Sequence, residues 1–254
     1  MGLGHVIAVT GLRREARILA DPAVRTIAGG GDATRLEADI EAACAGASGI
    51  ISIGLGGALA EGLWPGDWVV ASAVVAMADP SDLPPLGEVR PGGKGAEAHA
   101  PVDASPQRGE INDPWARRLL ESLPGARLGP IAGSDVMLVD AAAKAALHAA
   151  TGALAVDMES HIVARVAARH GLPFVAARTI SDGAGRALPR AAQAGMKPDG
   201  GMDLPGVMAA LARRPWELRA LIRTGVEAEA AFRALLRGRQ LLGPALGRAG
   251  ADLG

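Results

Sequence analysis

Three carboxylates follow apolar stretches at separate places in this 254-residue chain. Glu15 comes just after HVIAVTGL, Glu159 ends ALAVDME, and Asp182 ends PFVAARTISD. Carboxyl groups in such positions can act as general acid or base, and they can stabilise positive charge that develops on a substrate. An apolar strand that contains Arg178 and then delivers Asp182 therefore predicts a buried site for acid–base chemistry.

The elements that must position these groups alternate between strands and helices. Strands are predicted at 5–12, 47–57, 67–77, 128–134, 153–159 and 173–182, and helices near 13–21, after 32, near 113–123, at 140–150 and at 160–171. The alternation predicts a single α/β domain over 1–254, three-layer α/β/α, with a mixed, mostly parallel central sheet. Ligands of such sheets bind beyond the C-terminal ends of the strands, so the carboxylates and the glycine turn at 54–57 are expected at one rim.

Composition excludes several classes of function. The net charge of −1 gives no electrostatic basis for a nucleic-acid partner. Cys44 is the only cysteine, so no internal disulfide can form. The histidines and Cys44 lack metal-ligand spacing, and no metal site is expected. The N-terminus lacks a basic leader and no apolar run is long enough to span a bilayer, so a cytoplasmic protein is expected.

Three segments depart from this alternation. Residues 79–110 are rich in Pro and Gly and predict a long surface loop, and 184–206 predicts a second flexible stretch. The tail predicts a C-terminal helix at about 215–240 with an apolar stripe. Between 213 and 248 there are eight Arg against three Glu. This helix can therefore pack on the domain with a solvated basic face, or contact anionic lipid.

Each candidate also has an ordinary structural role open to it. Glu15 and Glu159 suit the first turn of a helix, and Asp182 suits a turn at the end of a strand. Ser160 beside His161 does not indicate a nucleophile and its base, because adjacent residues on a helix point apart. The prediction of a site therefore rests on the combination of the three carboxylates with the glycine turn at 54–57.

The combination resembles the nucleoside phosphorylase and nucleosidase superfamily, in particular its methylthioadenosine/S-adenosylhomocysteine nucleosidase branch. The resemblance covers roughly residues 5 to 185 and implies a phosphorylase/hydrolase-like fold. It is carried by GLRREA (11–16), SIGLGGALAEGLWPGDWVV (52–70), VDMES (156–160) and ARTISDGA (177–184). The opening GLRREAR and the tail WELRALIRTG are similar to the hopanoid-associated phosphorylase group.

The resemblance implies that the last strand holds the purine. Asp182 matches the family's aspartate that hydrogen-bonds the base and helps to protonate its N7, and Ser181 would orient Asp182. Loss of the base leaves negative charge on it, which an acid neutralises. Asp182 must then hold a proton near neutral pH, in a desolvated pocket or a proton-sharing network. Met137 and Leu138 match residues that line the base pocket.

Further residues match the sugar side of the family's site. Glu159 matches the glutamate that holds the ribose hydroxyls, and Glu15 matches the acid that activates water in the nucleosidases. Met158 would pack on the sugar face, although methionine is also typical of a core. The glycine segment that runs along the nucleoside is matched by Gly54, Gly56 and Gly57.

One departure from the family leaves the nucleophile open. Leu55 stands where the family often has a serine that helps to hold water or phosphate. Phosphorolysis also needs a basic anion site, and Arg13, Arg14 and Arg178 are not clear matches for one. Glu15 favours water, whereas the phosphorylase resemblance favours phosphate. No cofactor is expected, and inorganic phosphate is the alternative co-substrate.

The function implied by the resemblance is cleavage of the N-glycosidic bond of an adenine nucleoside. The narrower resemblance implies release of adenine from adenosylhopane in hopanoid biosynthesis, with an apolar 5′ substituent, peripheral membrane contact and a homo-oligomer. A general methylthioadenosine/S-adenosylhomocysteine nucleosidase is the alternative within the family. A non-catalytic purine- or lipid-binding protein is the alternative of another class. GLGGALAEG also suggests a dinucleotide-binding turn, but its spacing is not G-x-G-x-x-G.

Overall fold

The computed structural model describes residues 4–77, 113–193, 195, 200–201 and 203–248. Within them the strands are β1 His5–Thr10, β2 Val24–Ala28, β3 Ala47–Ala58, β4 Trp68–Met77, β5 Arg127–Ser134, β6 Ala155–Asp157 and β7 Phe174–Asp182. The helices are α1 Arg13–Leu19, α2 Ala33–Glu41, α3 Pro114–Ser122, α4 Ala141–Thr151, α5 Ser160–His170, α6 Arg190–Gln193, α7 Leu204–Arg213 and α8 Leu218–Leu242, with a short 3-10 helix at Pro215–Glu217.

Local chemistry explains where several helices begin and end. The Asp32 carboxylate accepts the Arg35 N–H at 3.0 Å at the start of α2, and Asp140 accepts the Ala142 N–H at 2.7 Å at the start of α4. Such caps satisfy backbone donors that have no partner within the helix. At the other end of α5, Gly171 takes a left-handed conformation that costs a glycine little.

The sheet is mixed and partly closed. The strand order is β2-β1-β3-β6-β5-β4-β7, and β7 pairs again with β3. Five strands, β3, β6, β5, β4 and β7, therefore form a ring, to which β1 and β2 add an open edge. Of the seven pairings among the described strands five are parallel, and the pairs β3–β6 and β4–β7 are antiparallel. This is the predicted α/β domain with a mixed, mostly parallel sheet.

Helices cover the sheet on two sides because its strands are apolar on both faces. In β1, Ile7 and Val9 belong to a cluster that includes Ile40 of α2 and Ile162 of α5. The neighbouring Val6 and Ala8 belong to a second cluster, which contains residues of α1, α3 and α8. Packing in these two clusters holds in place the strands that form the site.

Four details differ from the sequence-based predictions. Strand β2 was not predicted, and 184–206 contains α6 and the start of α7. The glycines at 54–57 lie inside β3 rather than in a turn, because β3 continues to Ala58 and pairs there with β6. The predicted strand 153–159 is only three residues long. The predicted loop at 79–110 lies outside the described residues.

Candidate active site

Glu15 turns inward from the first turn of α1 and is almost completely buried. Its Oε1 accepts the Leu55 N–H and its Oε2 accepts the Leu12 N–H, both at 2.6 Å. A Cβ on Gly54 would lie 2.8 Å from Oε1, so only glycine leaves room for this carboxylate. Burial raises the pKa of Glu15, while the backbone N–H groups and the positive charge of Arg178 oppose the rise.

Glu159 lies at the start of α5 and meets Glu15 across Gly11. A Cβ on Gly11 would lie 2.9 Å from Glu159 Oε1 and 3.6 Å from Glu15 Oε2. The two carboxylates therefore approach one point on the backbone after β1. Burial and the neighbouring Asp157 raise the pKa of Glu159 to about 8, although Arg178 opposes the rise. The raised pKa favours the protonated form of Glu159 near neutral pH.

Arg178 supplies the positive charge for this cluster from inside β7, where it is 1% exposed. Its Nε lies 2.7 Å from Asp157 Oδ2, and its Nη2 lies 3.6 Å from Glu159 Oε2. Nη2 also donates to the hydroxyls of Ser52 at 2.6 Å and Ser160 at 3.2 Å. A buried arginine needs such partners, so its side chain is used within the protein and does not form an open anion site.

Asp157 connects Arg178 to the helix that carries Glu159. Its Oδ1 accepts the N–H of Glu159 at 3.1 Å and that of Ser160 at 2.8 Å, which satisfies donors at the start of α5. Its Oδ2 accepts the Ser160 hydroxyl. Because one carboxylate holds both the helix start and the arginine, the backbone of Glu159 is fixed relative to β7.

Asp182 lies at the end of β7 and is also buried. Its Oδ1 accepts the Ser181 hydroxyl at 2.7 Å, and its Oδ2 forms an ion pair with Lys144 of α4. Ser181 Oγ is also 3.2 Å from the Gly56 carbonyl. A Cβ on Gly57 would lie 3.3 Å from Asp182 Oδ2. Asp182 is thus part of a charged network and not an isolated acid in an apolar pocket.

The C-terminal part of β3 brings Glu15, which meets Glu159 beside Gly11, into one region with Asp182. Glu15 lies against Gly54 and Asp182 against Gly57, three residues apart on an extended strand, which is about 10 Å. Between them, Gly56 packs against the aliphatic part of Arg178. Next to Glu159, a small cavity is lined by Met158, Asp135, Asp32, Leu36 and Ile162, among others.

The remaining predicted site residues lie less directly on this cluster. Met137 is half-buried on the segment between β5 and α4. Leu138 is buried in an apolar cluster with Leu59, Leu147 and Val156, so it packs in the core behind the site.

Two residues considered at the sequence level are used elsewhere in the structure. Arg14 pairs with Glu229 at 2.7 Å and lies over the Phe232 ring at 3.9 Å. His161 Nε2 lies 3.0 Å from Asp135 Oδ1, whereas Ser160 points toward Asp157. Ser160 and His161 do point apart, as expected for neighbours on a helix.

Sequence reasoning missed Lys144, Asp157, Ser52 and Ser160 as members of the cluster. One signal was present for Asp157, Ser52 and Ser160, the partners of Arg178: an arginine inside an apolar strand requires a buried acid and further acceptors. For Lys144 there was no signal, since AAAKAAL reads as an ordinary alanine-rich helix with a solvated lysine.

Solved structures with the same fold include nucleosidases and a futalosine hydrolase. An S-adenosylhomocysteine nucleosidase from Streptococcus pyogenes, in complex with 5-methylthiotubericidin, is 18% identical, with 97% of this chain and 98% of that chain covered and a TM-score of 0.59. Futalosine hydrolase from Helicobacter pylori is 16% identical, with coverages of 96% and 97% and a TM-score of 0.57. At these identities the likeness shows the fold. No curated protein matches the chain in a sequence comparison.

The family is shown by the sequence itself. The profile of the Phosphorylase superfamily matches residues 26–199, which is more than half of the chain. This protein belongs to the phosphorylase superfamily. The result confirms the superfamily predicted from the motifs, and with it the predicted class of enzyme, which cleaves the glycosidic bond of nucleosides.

Proposed function

We propose that this protein cleaves the N-glycosidic bond of an adenine nucleoside, with Asp182 on the base side and Glu159 and Glu15 on the sugar side. The observation that carries the proposal is the convergence of three buried carboxylates: Glu15 and Glu159 meet beside Gly11, and Glu15 and Asp182 lie against Gly54 and Gly57 of β3. As the bond breaks, the base gains negative charge and the sugar becomes cationic. An acid on the base side can neutralise the negative charge, and carboxyl groups on the sugar side can stabilise the positive charge.

The surroundings of Glu15 support water as the nucleophile. Backbone N–H groups fix both of its oxygens, and burial makes it a stronger base than an exposed glutamate. Leu55 provides no hydroxyl for phosphate. Arg178 and Arg14 are engaged in ion pairs within the protein. Hydrolysis therefore fits the described residues better than phosphorolysis, and no cofactor is required.

The proposed substrate carries an apolar 5′ substituent, and adenosylhopane is the compound that the hopanoid-associated resemblance suggests. The protein would then work in the cytoplasm at a membrane surface, and a homo-oligomer remains a prediction of the resemblance. A general nucleosidase for methylthioadenosine or S-adenosylhomocysteine is the alternative within the family. The solved relative bound to 5-methylthiotubericidin favours this alternative, because that ligand has a small substituent.

Product analysis tests the reaction and the substituent together. Purified protein is incubated with adenosylhopane, methylthioadenosine and S-adenosylhomocysteine, with and without inorganic phosphate, and the products are separated by chromatography. We expect free adenine and the free sugar at a rate that phosphate does not change, with the highest kcat/KM for adenosylhopane. A sugar phosphate would contradict hydrolysis, and a preference for methylthioadenosine would establish the alternative.

An apolar surface on α7 and α8 supports membrane contact. Helix α7 contains no buried residue, and the most exposed apolar side chains of this surface are Leu204, Met208, Trp216, Ile222 and Val226. Arg213, Arg219 and Arg223 lie among them. An apolar strip with a basic fringe and a tryptophan is typical of helices that lie in the interface of an anionic bilayer. No helix among the described residues is long and apolar enough to cross a membrane.

This surface is connected to the site by a short segment. Gly200, four residues before α7, accepts the Arg13 N–H at 3.0 Å through its carbonyl. A Cβ on Gly200 would lie 2.8 Å from the Gly11 carbonyl, beside the point where Glu15 and Glu159 meet. A bilayer at α7 would therefore lie near the sugar side of the site, where a long 5′ substituent has to leave.

Vesicle binding tests the membrane contact. The protein is expected to sediment with anionic vesicles, less with zwitterionic ones, and less as salt rises. The double variant Met208→Ser/Ile222→Ser should lose most of this binding, whereas Leu241→Ser at the far end of α8 should not. If the protein ignores vesicles, and the same double variant instead abolishes a dimer seen by light scattering, the surface is an interface between copies and the membrane contact is wrong.

A further inference from the structure

Lys144 is a completely buried lysine that the reaction described so far does not use. Its Nζ forms the ion pair with Asp182 Oδ2, and it donates to the Arg186 carbonyl at 3.1 Å and the Gly183 carbonyl at 3.3 Å. An ammonium group has three N–H donors, and three acceptors surround this one. The burial of the charge is thus compensated by a full set of partners.

This arrangement raises a question about the proton that the base receives. The ionised forms that an ion pair joins are an ammonium group, which carries the protons, and a carboxylate, which carries none. A carboxylate can accept a hydrogen bond from the purine, but it has no proton of its own to give to N7. Another group must therefore supply the proton, and Lys144 is the cation in contact with Asp182.

We propose that Lys144 is the proton source for the departing base, with Asp182 as the carrier between them; the inference rests on the proposed nucleoside cleavage. The C–N bond breaks with its electron pair moving to the base. N7 takes a proton from Asp182, and Asp182 takes one from Lys144 Nζ. The products are a neutral base, the Asp182 carboxylate and a neutral amine, which regains a proton from solvent through Asp182 once the base has left.

The Gly183 and Arg186 carbonyls can accept hydrogen bonds from Lys144 in both its ammonium and its amine form. In the ammonium form, the Gly183 and Arg186 carbonyls take two N–H groups, and the third N–H is directed at Asp182. In the amine form, the same carbonyls keep two N–H groups and the lone pair faces Asp182. The proton can therefore leave and return with little movement of the side chain. Lys144 does not contact the substrate, so it is a positioning residue that acts through Asp182.

A purely structural role is the competing explanation, since Lys144 also ties α4 to the segment after β7. The two roles differ in their dependence on the leaving group. A nucleoside methylated at N7 carries a positive charge on the base, which then leaves as a neutral molecule without any proton. Loss of the proton source should slow only the unmethylated nucleoside, whereas structural damage should slow both.

The test measures kcat for an adenine nucleoside and for its N7-methylated form with wild type, Lys144→Gln and the control His148→Gln. Glutamine can keep the bonds to the two carbonyls but has no proton to release. His148 lies one turn further along α4 and contacts the Ala153 carbonyl, away from Asp182. We expect Lys144→Gln to lose at least about 100-fold on the unmethylated nucleoside and only a few-fold on the methylated one. His148→Gln should affect both equally.

Lys144→Arg provides a second variant in case the glutamine protein does not fold. Arginine keeps the positive charge but does not release its proton at accessible pH, so the same split between substrates is expected. Equal losses on both nucleosides, or no loss on the unmethylated one, would overturn the role of Lys144. If wild type cleaves neither nucleoside, the proposed function itself is wrong, which is a separate result.

Discussion

At the scale of single residues, Glu159 couples the site to the stability of the fold. It is buried between Asp157 and Glu15, with Arg178 as the nearby cation, and its pKa of about 8 is far above the ordinary value for glutamate. A carboxyl group with a raised pKa in the folded state binds its proton more tightly there than in the unfolded chain. Its contribution to stability is therefore present at low pH and is lost as pH rises from about 4.5 to about 8.

Glu159→Gln should remove this pH dependence. Between pH 5 and 8, the wild-type free energy of unfolding should fall relative to that of the variant, by up to about 1.4 kcal/mol per pH unit. Urea unfolding of both proteins at several pH values measures the difference. Glu61→Gln, at an exposed position, is the matched control and should follow wild type. Parallel curves for wild type and Glu159→Gln would show that Glu159 is ionised throughout.

Contacts between single residues were the part of the structure that the sequence predicted least completely. Arg178 within an apolar strand requires buried acids, but the sequence did not identify them, and the structure shows Asp157 and Glu159 in that role. Its hydroxyl partners could not be predicted, because Ser52 is 126 residues away in the chain and depends on the pairing of β3 with β7. Lys144 carries no local pattern at all, since only the tertiary fold brings Asp182 to its ammonium group.

At the scale of elements, β3 is the strand on which the site depends. Its glycines accommodate the side chains of other elements: Gly54 accommodates Glu15 of α1, and Gly56 and Gly57 accommodate Arg178 and Asp182 of β7. The resemblance placed these glycines along a bound nucleoside. They also give the carboxylates room to approach the strand.

Gly54→Ala should therefore damage the site more than the fold. The added methyl would lie 2.8 Å from Glu15 Oε1 and would push the carboxylate away from the Leu55 N–H. We expect kcat to fall at least about 10-fold, from loss of oriented base catalysis. Gly225→Ala in α8 is the control, because nothing lies within 4 Å of its added methyl. It should leave kcat unchanged and stabilise the helix by about 1 kcal/mol, and equal losses in both variants would contradict this role of Gly54.

Helices whose ends are marked by capping residues could be predicted from the sequence. Strands that form only by pairing with a distant strand could not. Helices α2 and α4 begin after Asp32 and Asp140, and α5 ends at Gly171. These boundaries were predictable because a capping residue acts on the helix next to it in the sequence. Strand β2 lacks such a signal: VRTIA alternates only weakly and becomes a strand by pairing with β1. The same holds for Gly54–Gly57, which read as a turn until β6 and β7 pair with them.

At the scale of the whole molecule, closure of the ring brings distant segments to one place. The predicted mixed α/β domain is confirmed, but an open sheet alone would have put all strand ends at one edge. Because β6 runs antiparallel to β3 and pairs with its last two residues, Gly57 and Ala58, Asp157 lies within the sheet beside the end of β3 instead. The site is thus assembled from α1, β3, α4, α5 and β7, which no local pattern could have combined.

Release of free adenine is the measurement that tests the central claim most directly. Wild type, Asp182→Asn, Glu159→Gln and the exposed control Glu121→Gln are compared at equal concentration on one adenine nucleoside, with adenine quantified by chromatography. The account predicts adenine formation by wild type and the control, and a fall of about 10²- to 10⁴-fold in both site variants. Full activity in Asp182→Asn and Glu159→Gln, or no adenine from wild type with any nucleoside, would contradict it.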